Sequence, residues 1–215
     1  MKGIFIVIEG LDGSGTTTQA KLLAEYLFEK DKRFVPLLTR EPTMLNDYGK
    51  EIRRRLKHQL LPGEEVIHDS EYWTNLYVKD REWHLENVVQ PNMEKGLIII
   101  SDRHMLSTLA YQSAQGADIN HLTRLHQQML KPNLTIFLRV PLETALQRIG
   151  IRDKGEEFFE RKDFLQKTCQ AYEEAIKLVQ QEQNIVVIDG TLSIEEIAKL
   201  IQKEIEKIIT LLLHY

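Results

Sequence analysis

The sequence predicts an α/β fold in which a five-stranded parallel sheet carries helices on both faces. Three observations lead there: five short apolar runs rich in β-branched residues, helix-period stretches between them, and a glycine-rich segment directly after the first run. Strands that alternate with helices pair in parallel through right-handed crossovers, and such sheets gather their ligands at the carboxyl ends of the strands.

The first run, residues 4–8, leads into Gly10-Leu11-Asp12-Gly13-Ser14-Gly15-Thr16-Thr17-Thr18 and a helix predicted over 18–29. A strand, a glycine turn and a helix in that order aim backbone N–H groups at an anion on the helix N-terminus, so this is a phosphate cradle. The usual pattern is Gly, four residues, Gly, Lys, then Ser or Thr. Here Gly10, Gly15 and the hydroxyl of Thr17 are kept, and Thr16 stands where the lysine belongs. Gly10, Gly13, Ser14, Gly15, Thr16, Thr17 and Thr18 are the expected phosphate contacts.

The second run, 34–38, is followed by Arg40-Glu41-Pro42, and the third, 97–100, by Asp102-Arg103-His104. The fourth, 134–138, brings no candidate, and the fifth, 185–188, is followed by Asp189-Gly190-Thr191. An apolar strand ending in Asp102 beside the glycine loop places a carboxylate where a phosphate-bound Mg²⁺ would lie, with Thr17 as a second ligand. Arg40, Arg53 and Arg103 come from separate segments, and guanidinium groups match phosphate oxygens with paired donors. A helix lets at most one or two of Arg53-Arg54-Arg55 face a common site, and Arg53 is the one retained.

Two insertions stand out. Residues 64–94 carry Tyr72, Trp73, Tyr77 and Trp83 on a helical stretch, which suits a core; Tyr77 and Arg81 are four apart and share a helix face, which suits a stacked base and a reader of its edge. Residues 147–163 are charged, with Arg148, Arg152 and Lys154. They read either as an exposed helix end paired with Glu156 and Glu157 or as a lid that brings positive charge to a transferring phosphoryl group.

At 215 residues, 42% hydrophobic and 28% charged, the chain has the composition of a globular protein with a substantial core. A net charge of −4 opposes a nucleic-acid-coating role, which needs a basic surface. Cys169 has no second cysteine with which to pair. The apolar runs fall well short of the roughly 18 residues that span a bilayer, and no signal peptide is legible at the N-terminus, so a cytoplasmic protein without a membrane partner is expected.

With these pieces assembled, the chain resembles the thymidylate kinases. The matching segments are FIVIEGLDGSGTTTQ (5–19), TREP (39–42), GKEIR (49–53), Asp80-Arg81, SDRHMLSTLAYQ (101–112) and the stretch 148–172, in family order and across nearly the whole chain. The resemblance implies a three-layer α/β/α P-loop kinase fold, one domain over 1–215 with a short helical lid at about 147–163, and a homodimer. It implies transfer of the γ-phosphoryl group of ATP to dTMP with Mg²⁺, giving dTDP.

By matching position, Asp12 would bind the deoxyribose 3′-hydroxyl, and Arg53 and Arg103 the acceptor phosphate. Pro42 would line the thymine-methyl pocket, Tyr77 would stack on the base, Arg81 and Thr108 would read its edge, and Tyr111 would sit beneath C2′. Arg40, Ser107 and Gln112 complete the dTMP set. Asp102 would act near Mg²⁺, with Thr17; Arg148 and Asp189-Gly190-Thr191 would lie at the donor; Asp12, Arg103, Arg148 and Arg152 form the catalytic set.

Two departures from the family pattern matter. Thr16 replaces the lysine, and Gly13 stands where one subgroup has an arginine, which resembles the subgroup that carries its catalytic arginine in the lid. Two other readings remain open: a catalytically weak nucleotide-binding homologue that has lost the loop lysine, and a kinase for dUMP, another nucleoside monophosphate or a deoxynucleoside. The segment 43–48, without the family's Gly-Gly, and Tyr77 in place of the more usual Phe keep the acceptor question open.

Overall fold

The computed structural model describes residues 3–150 and 162–213, the side chains of 211–213 excepted. Strands β1 (Ile4–Gly10), β2 (Pro36–Arg40), β3 (Ile98–Asp102), β4 (Leu134–Arg139) and β5 (Ile185–Asp189) form one parallel sheet in the order β2-β3-β1-β4-β5. β1 is central and buried along its whole length. Because helices cover both of its faces, it reads as a continuous apolar run rather than an alternating one.

The helices are α1 (Thr16–Lys30), α2 (Asp47–Leu56), α3 (Ser70–His84), α4 (Gln90–Glu94), α5 (Met105–Ala114), α6 (Ile119–His126), α7 (Leu142–Gly150), α8 (Lys162–Val179) and α9 (Ile194–Leu213). Ile4, Ile6 and Ile8 of β1 pack with Leu23 and Leu27 of α1 and Ile197, Ile201 and Ile205 of α9. Phe5 and Val7, pointing the other way, pack with Leu85, Val89 and Ile99. The two-residue period of the strand thus divides the core between two helical layers.

Boundaries differ from the sequence-based ones where local chemistry intervenes. β2 begins two residues late, since the Phe34 amide closes a turn onto Asp31 and ladder pairing starts at Pro36 opposite Ile98. Residues 64–94 are not one helix. α3 starts only at Ser70, where the Asp69 carboxylate caps the Glu71 amide, and a π-helical turn at Leu85–Val89 joins it to α4. Pro91 lies just beyond that turn; it has no N–H to donate into the preceding turn, so a break in the α-helical ladder there follows.

Of the expected lid, 147–150 form the last turn of α7 and Lys162 and Asp163 open α8. Residues 151–161, with Arg152 and Lys154, lie outside the described residues. Among the described residues no helix is long and apolar enough to cross a membrane.

Candidate active site

The glycine loop occupies the carboxyl end of the central strand. Gly13 and Gly15 take φ of +84° and +97°, values that favour glycine, and they fold the loop back so that α1 begins at Thr16. The first-turn N–H groups of a helix have no intrahelical acceptor, and here no side chain caps them. Ser14 is buried and its hydroxyl has no protein partner. The loop therefore presents a cluster of free donors, the arrangement that holds phosphate.

Asp102 ends β3 next to the loop. Its Oδ2 accepts from the Thr17 hydroxyl at 2.5 Å, while its Oδ1 is buried with no partner among the described residues. An orphaned carboxylate oxygen beside a hydroxyl is the hard-oxygen donor set that suits Mg²⁺.

A first cavity lies on the other side of the loop. Asp12, Pro42, Arg53, Tyr77, Arg81, Arg103, Ser107, Thr108, Tyr111 and Gln112 line it, together with Glu41, Leu56 and His104. Ten of the eleven residues assigned to the acceptor nucleotide meet there. Arg40 does not: it lines a second cavity with Thr17, Lys21 and Asp102, on the phosphate-loop side. The physical reason is strand alternation, because Arg40 and Glu41 are neighbours at a strand end and point to opposite sides.

The sequence pattern that defines the thymidylate kinase family matches residues 8–201 of this chain. The chain belongs to the thymidylate kinase family. It is 37% identical over 198 residues to a probable thymidylate kinase of Pyrococcus horikoshii, covering 92% of this chain and 93% of that one. It is 35% identical over 218 residues to the thymidylate kinase of Mesoplasma florum, covering 95% and 96%. Its fold matches the solved thymidylate kinase of Candida albicans with a TM-score of 0.78 at 26% identity, over 96% of this chain and 92% of that one.

Seen as a thymidylate kinase, the first cavity separates its arginines by what they touch. Arg54 and Arg55 pair with Glu51 and Glu64, whereas no hydrogen bond or ion pair within the described residues engages the Arg53 guanidinium. Arg103 is held in place: its Nη2 donates to Asp12 at 2.5 Å and its Nη1 to the Gly10 carbonyl and the Ser107 hydroxyl. Arg103 also takes a φ of +78°, rare for a residue with a side chain, and this turns it back over the loop. The second Asp12 oxygen accepts from the Tyr111 hydroxyl at 2.7 Å.

Arg81 and Thr108, both expected at the base edge, bond to each other at 2.9 Å. Arg81 also donates from Nε to Glu41 and from Nη1 to His126. Gln112 is the contrasting case. It is fully buried, and among the described residues neither its amide oxygen nor its amide nitrogen has a partner.

Several site residues have no signal in sequence spacing. Glu41 is a buried hub that receives Arg81, His84 at 2.9 Å and His104 at 3.1 Å. Burial opposes its ionisation, yet the charges of Arg81 and His104 prevail and hold the carboxyl well below the usual glutamate range. Glu9, at the end of β1, accepts from the His104 and Ser107 amides and the Ser107 hydroxyl, which seats the start of α5. Burial pushes its carboxyl up to about 7 against those bonds and the Arg103 charge.

The segment after Pro42 is closed by Asp80, which accepts from the Thr43 amide and hydroxyl and from Asn46 Nδ2. These bonds do the ordering in a loop that lacks Gly-Gly. Gly49 lets α2 approach it, since a Cβ there would lie 2.1 Å from the Thr43 carbonyl.

On the donor side, α7 packs directly on the glycine loop. A Cβ at Gly13 would sit 2.5 Å from the Ala145 carbonyl, so this chain has no room for the arginine found at position 13 in one thymidylate kinase subgroup. One turn after Ala145, Arg148 donates from Nη1 to the Gly190 carbonyl at 2.9 Å, at the Asp189–Thr191 turn. Asp189 closes that turn by accepting from the Thr191 amide and hydroxyl.

Proposed function

We propose that this chain is an active thymidylate kinase that moves the γ-phosphoryl group of ATP to dTMP, with the first cavity holding dTMP and the glycine loop holding ATP. The observation that carries this reading is Gln112, a buried amide with no partner among the described residues, in the wall of a cavity that also has the Tyr77 ring and the Arg53 guanidinium, which no described residue engages. A thymine edge offers an N–H flanked by two carbonyl oxygens, and an amide offers the complementary donor and acceptor. An unsatisfied buried amide is costly, and a base that pairs with it removes the cost.

The chain's own residues supply alignment and charge. Arg53 and Arg103, which both line the cavity, take the acceptor phosphate; Arg103 keeps its place through Asp12 and Gly10. Pro42 lines the cavity at the base, and Tyr111 and Asp12 meet the sugar. The second pKa of a phosphate monoester is near 6, so the attacking oxygen is already an anion at neutral pH and no general base is needed. Thr17 and Asp102 would hold Mg²⁺, which would neutralise charge on the β- and γ-phosphate oxygens. Backbone N–H groups of Gly13 and of Gly15 to Thr18 receive the donor phosphates, the Ser14 N–H being taken by the Leu11 carbonyl, and Arg148 places a guanidinium beside the donor turn. Leu60, Leu61 and Val66, apolar and exposed around the end of α2, support assembly as a homodimer.

The test is a panel of monophosphates with ATP and Mg²⁺. Phosphorylation of dTMP should exceed that of dUMP by about tenfold or more, the worth of a methyl group in a fitted pocket. Equal rates across the panel would assign the cavity to a broader acceptor class. The absent lysine is tested by Thr16→Lys. Arg40 and Lys21 already line the metal side of the loop and Arg148 the donor side, so kcat should change by less than about tenfold, well under the 10³ or more that one essential cation contributes. A rise of several orders of magnitude would instead identify a crippled site and a binding or regulatory protein.

A further inference from the structure

The acceptor cavity has a support that no sequence motif announced. His126 is the last residue of α6 and is buried. Its Nδ1 lies 2.7 Å from the Leu122 carbonyl, which can only accept, so the ring proton sits on Nδ1. Its Nε2 is then a lone pair, and it faces Arg81 Nη1, which can only donate, at 2.6 Å. Both neighbours demand the same neutral tautomer. Burial and the Arg81 charge also push the imidazole down to about 3, so the acceptor is present at every working pH.

Arg81 is thereby gripped from three elements. Nε donates to Glu41 after β2, Nη2 to Thr108 on α5, and Nη1 to His126 on α6. Nη2 also lies 2.7 Å from Glu41 Oε2, so of the five N–H groups of the guanidinium one remains, on Nη1. Arg81 lines the cavity between Tyr77, Thr108 and Gln112. Three fixed acceptors around one planar group define its orientation, and with it the direction of the remaining Nη1 N–H. Removing the His126 acceptor leaves a buried N–H unsatisfied and one corner of the plane unheld.

We propose that His126 is a positioning residue for the acceptor nucleotide, setting the plane in which Arg81 presents its remaining Nη1 N–H to the base. The proposal rests on the reading of the first cavity as the dTMP site. His126 does not touch the nucleotide and acts through Arg81.

The experiment is steady-state kinetics with both substrates on His126→Leu, His126→Gln and His126→Asn, and on His126→Leu combined with Arg81→Met. Loss of one hydrogen bond to a charged group predicts that His126→Leu raises KM for dTMP by about tenfold while KM for ATP stays put. A glutamine carbonyl extends to the place of Nε2 and can accept from Arg81, so His126→Gln should stay within about threefold of the parent; an asparagine carbonyl stops short and should behave like leucine. In the Arg81→Met background His126→Leu should add nothing, because the group it positions is gone.

The proposal is overturned if KM for dTMP is unchanged in both His126→Leu and His126→Asn, if KM for the two substrates rises together as in a general loss of structure, or if the Arg81→Met background retains the full effect. Should His126→Leu fail to fold, the Gln and Asn pair decides, since equal KM values for those two would also overturn it. If Arg81→Met alone leaves dTMP binding intact, the cavity assignment fails first and takes the proposal with it.

Discussion

Replacing Arg103 with alanine is expected to lower kcat for dTDP formation by about 10³-fold, the low end of what an arginine at a transferring phosphoryl group contributes. The expectation comes from how this side chain is held. Its guanidinium bridges Asp12 and the Gly10 carbonyl, so it joins the glycine loop to the acceptor cavity, and its backbone amide is tied to the Ile8 carbonyl at 2.9 Å. Geometry of this kind is costly to build, given the positive φ at this position, and worthwhile only if the group must be where the charge develops. Arg103→Lys should recover little of the loss, because an ammonium cannot span Asp12 and the loop carbonyl while also meeting a phosphate oxygen. Rapid-quench measurement of the phosphoryl-transfer step checks this directly; a loss smaller than about tenfold would move the essential cation elsewhere, with Arg53 and Arg148 next in line.

Glu41→Ala is expected to have the largest effect on stability. It removes one carboxylate and leaves Arg81 as a buried, uncompensated charge beside two imidazoles, a change that costs about 3–5 kcal/mol in comparable pairs. For a chain of this size that corresponds to a fall in Tm of roughly 10 °C, measurable by calorimetry with and without dTMP. The pH dependence has a definite sign. Because the folded-state carboxyl is held below the ordinary glutamate value of 4.5, its contribution is complete above that pH and is lost as pH falls through the folded value. The stability gap between parent and variant should therefore narrow on acidification below 4.5. A gap that stays constant with pH would mean that Glu41 contributes packing rather than charge.

Glu41 also illustrates where sequence reading stops. It sits between Arg40 and Pro42 in a motif that flags the segment as functional, yet nothing in the spacing says that position 41 anchors three side chains from α3 and the start of α5. His84 and His126 gave no signal, since isolated histidines have no period and their partners lie 43 and 45 residues away. Arg81 was legible as a reader of the base edge from its place four after Tyr77, but its bonds to Glu41, Thr108 and His126 were not, because spacing shows which face a side chain is on and not how many of its donors are already used.

What the sequence determined by itself is local and periodic. The five apolar runs, the strand-turn-helix order at the glycine loop, the shared face of Tyr77 and Arg81 and the limit of one or two site-facing residues among Arg53, Arg54 and Arg55 all follow from backbone geometry that each short segment carries alone. Tertiary structure decided the rest, because it depends on contacts between segments far apart in the chain. The sheet order put Asp102 beside Thr17, strand alternation sent Arg40 to the second cavity and Glu41 to the first, and α7 packed so closely on the loop that position 13 has no space for a side chain. The loop without its lysine was visible at once in the sequence; how Arg40 at the end of β2, Lys21 on α1, Arg103 after β3 and Arg148 on α7 lie relative to it became visible only in the fold.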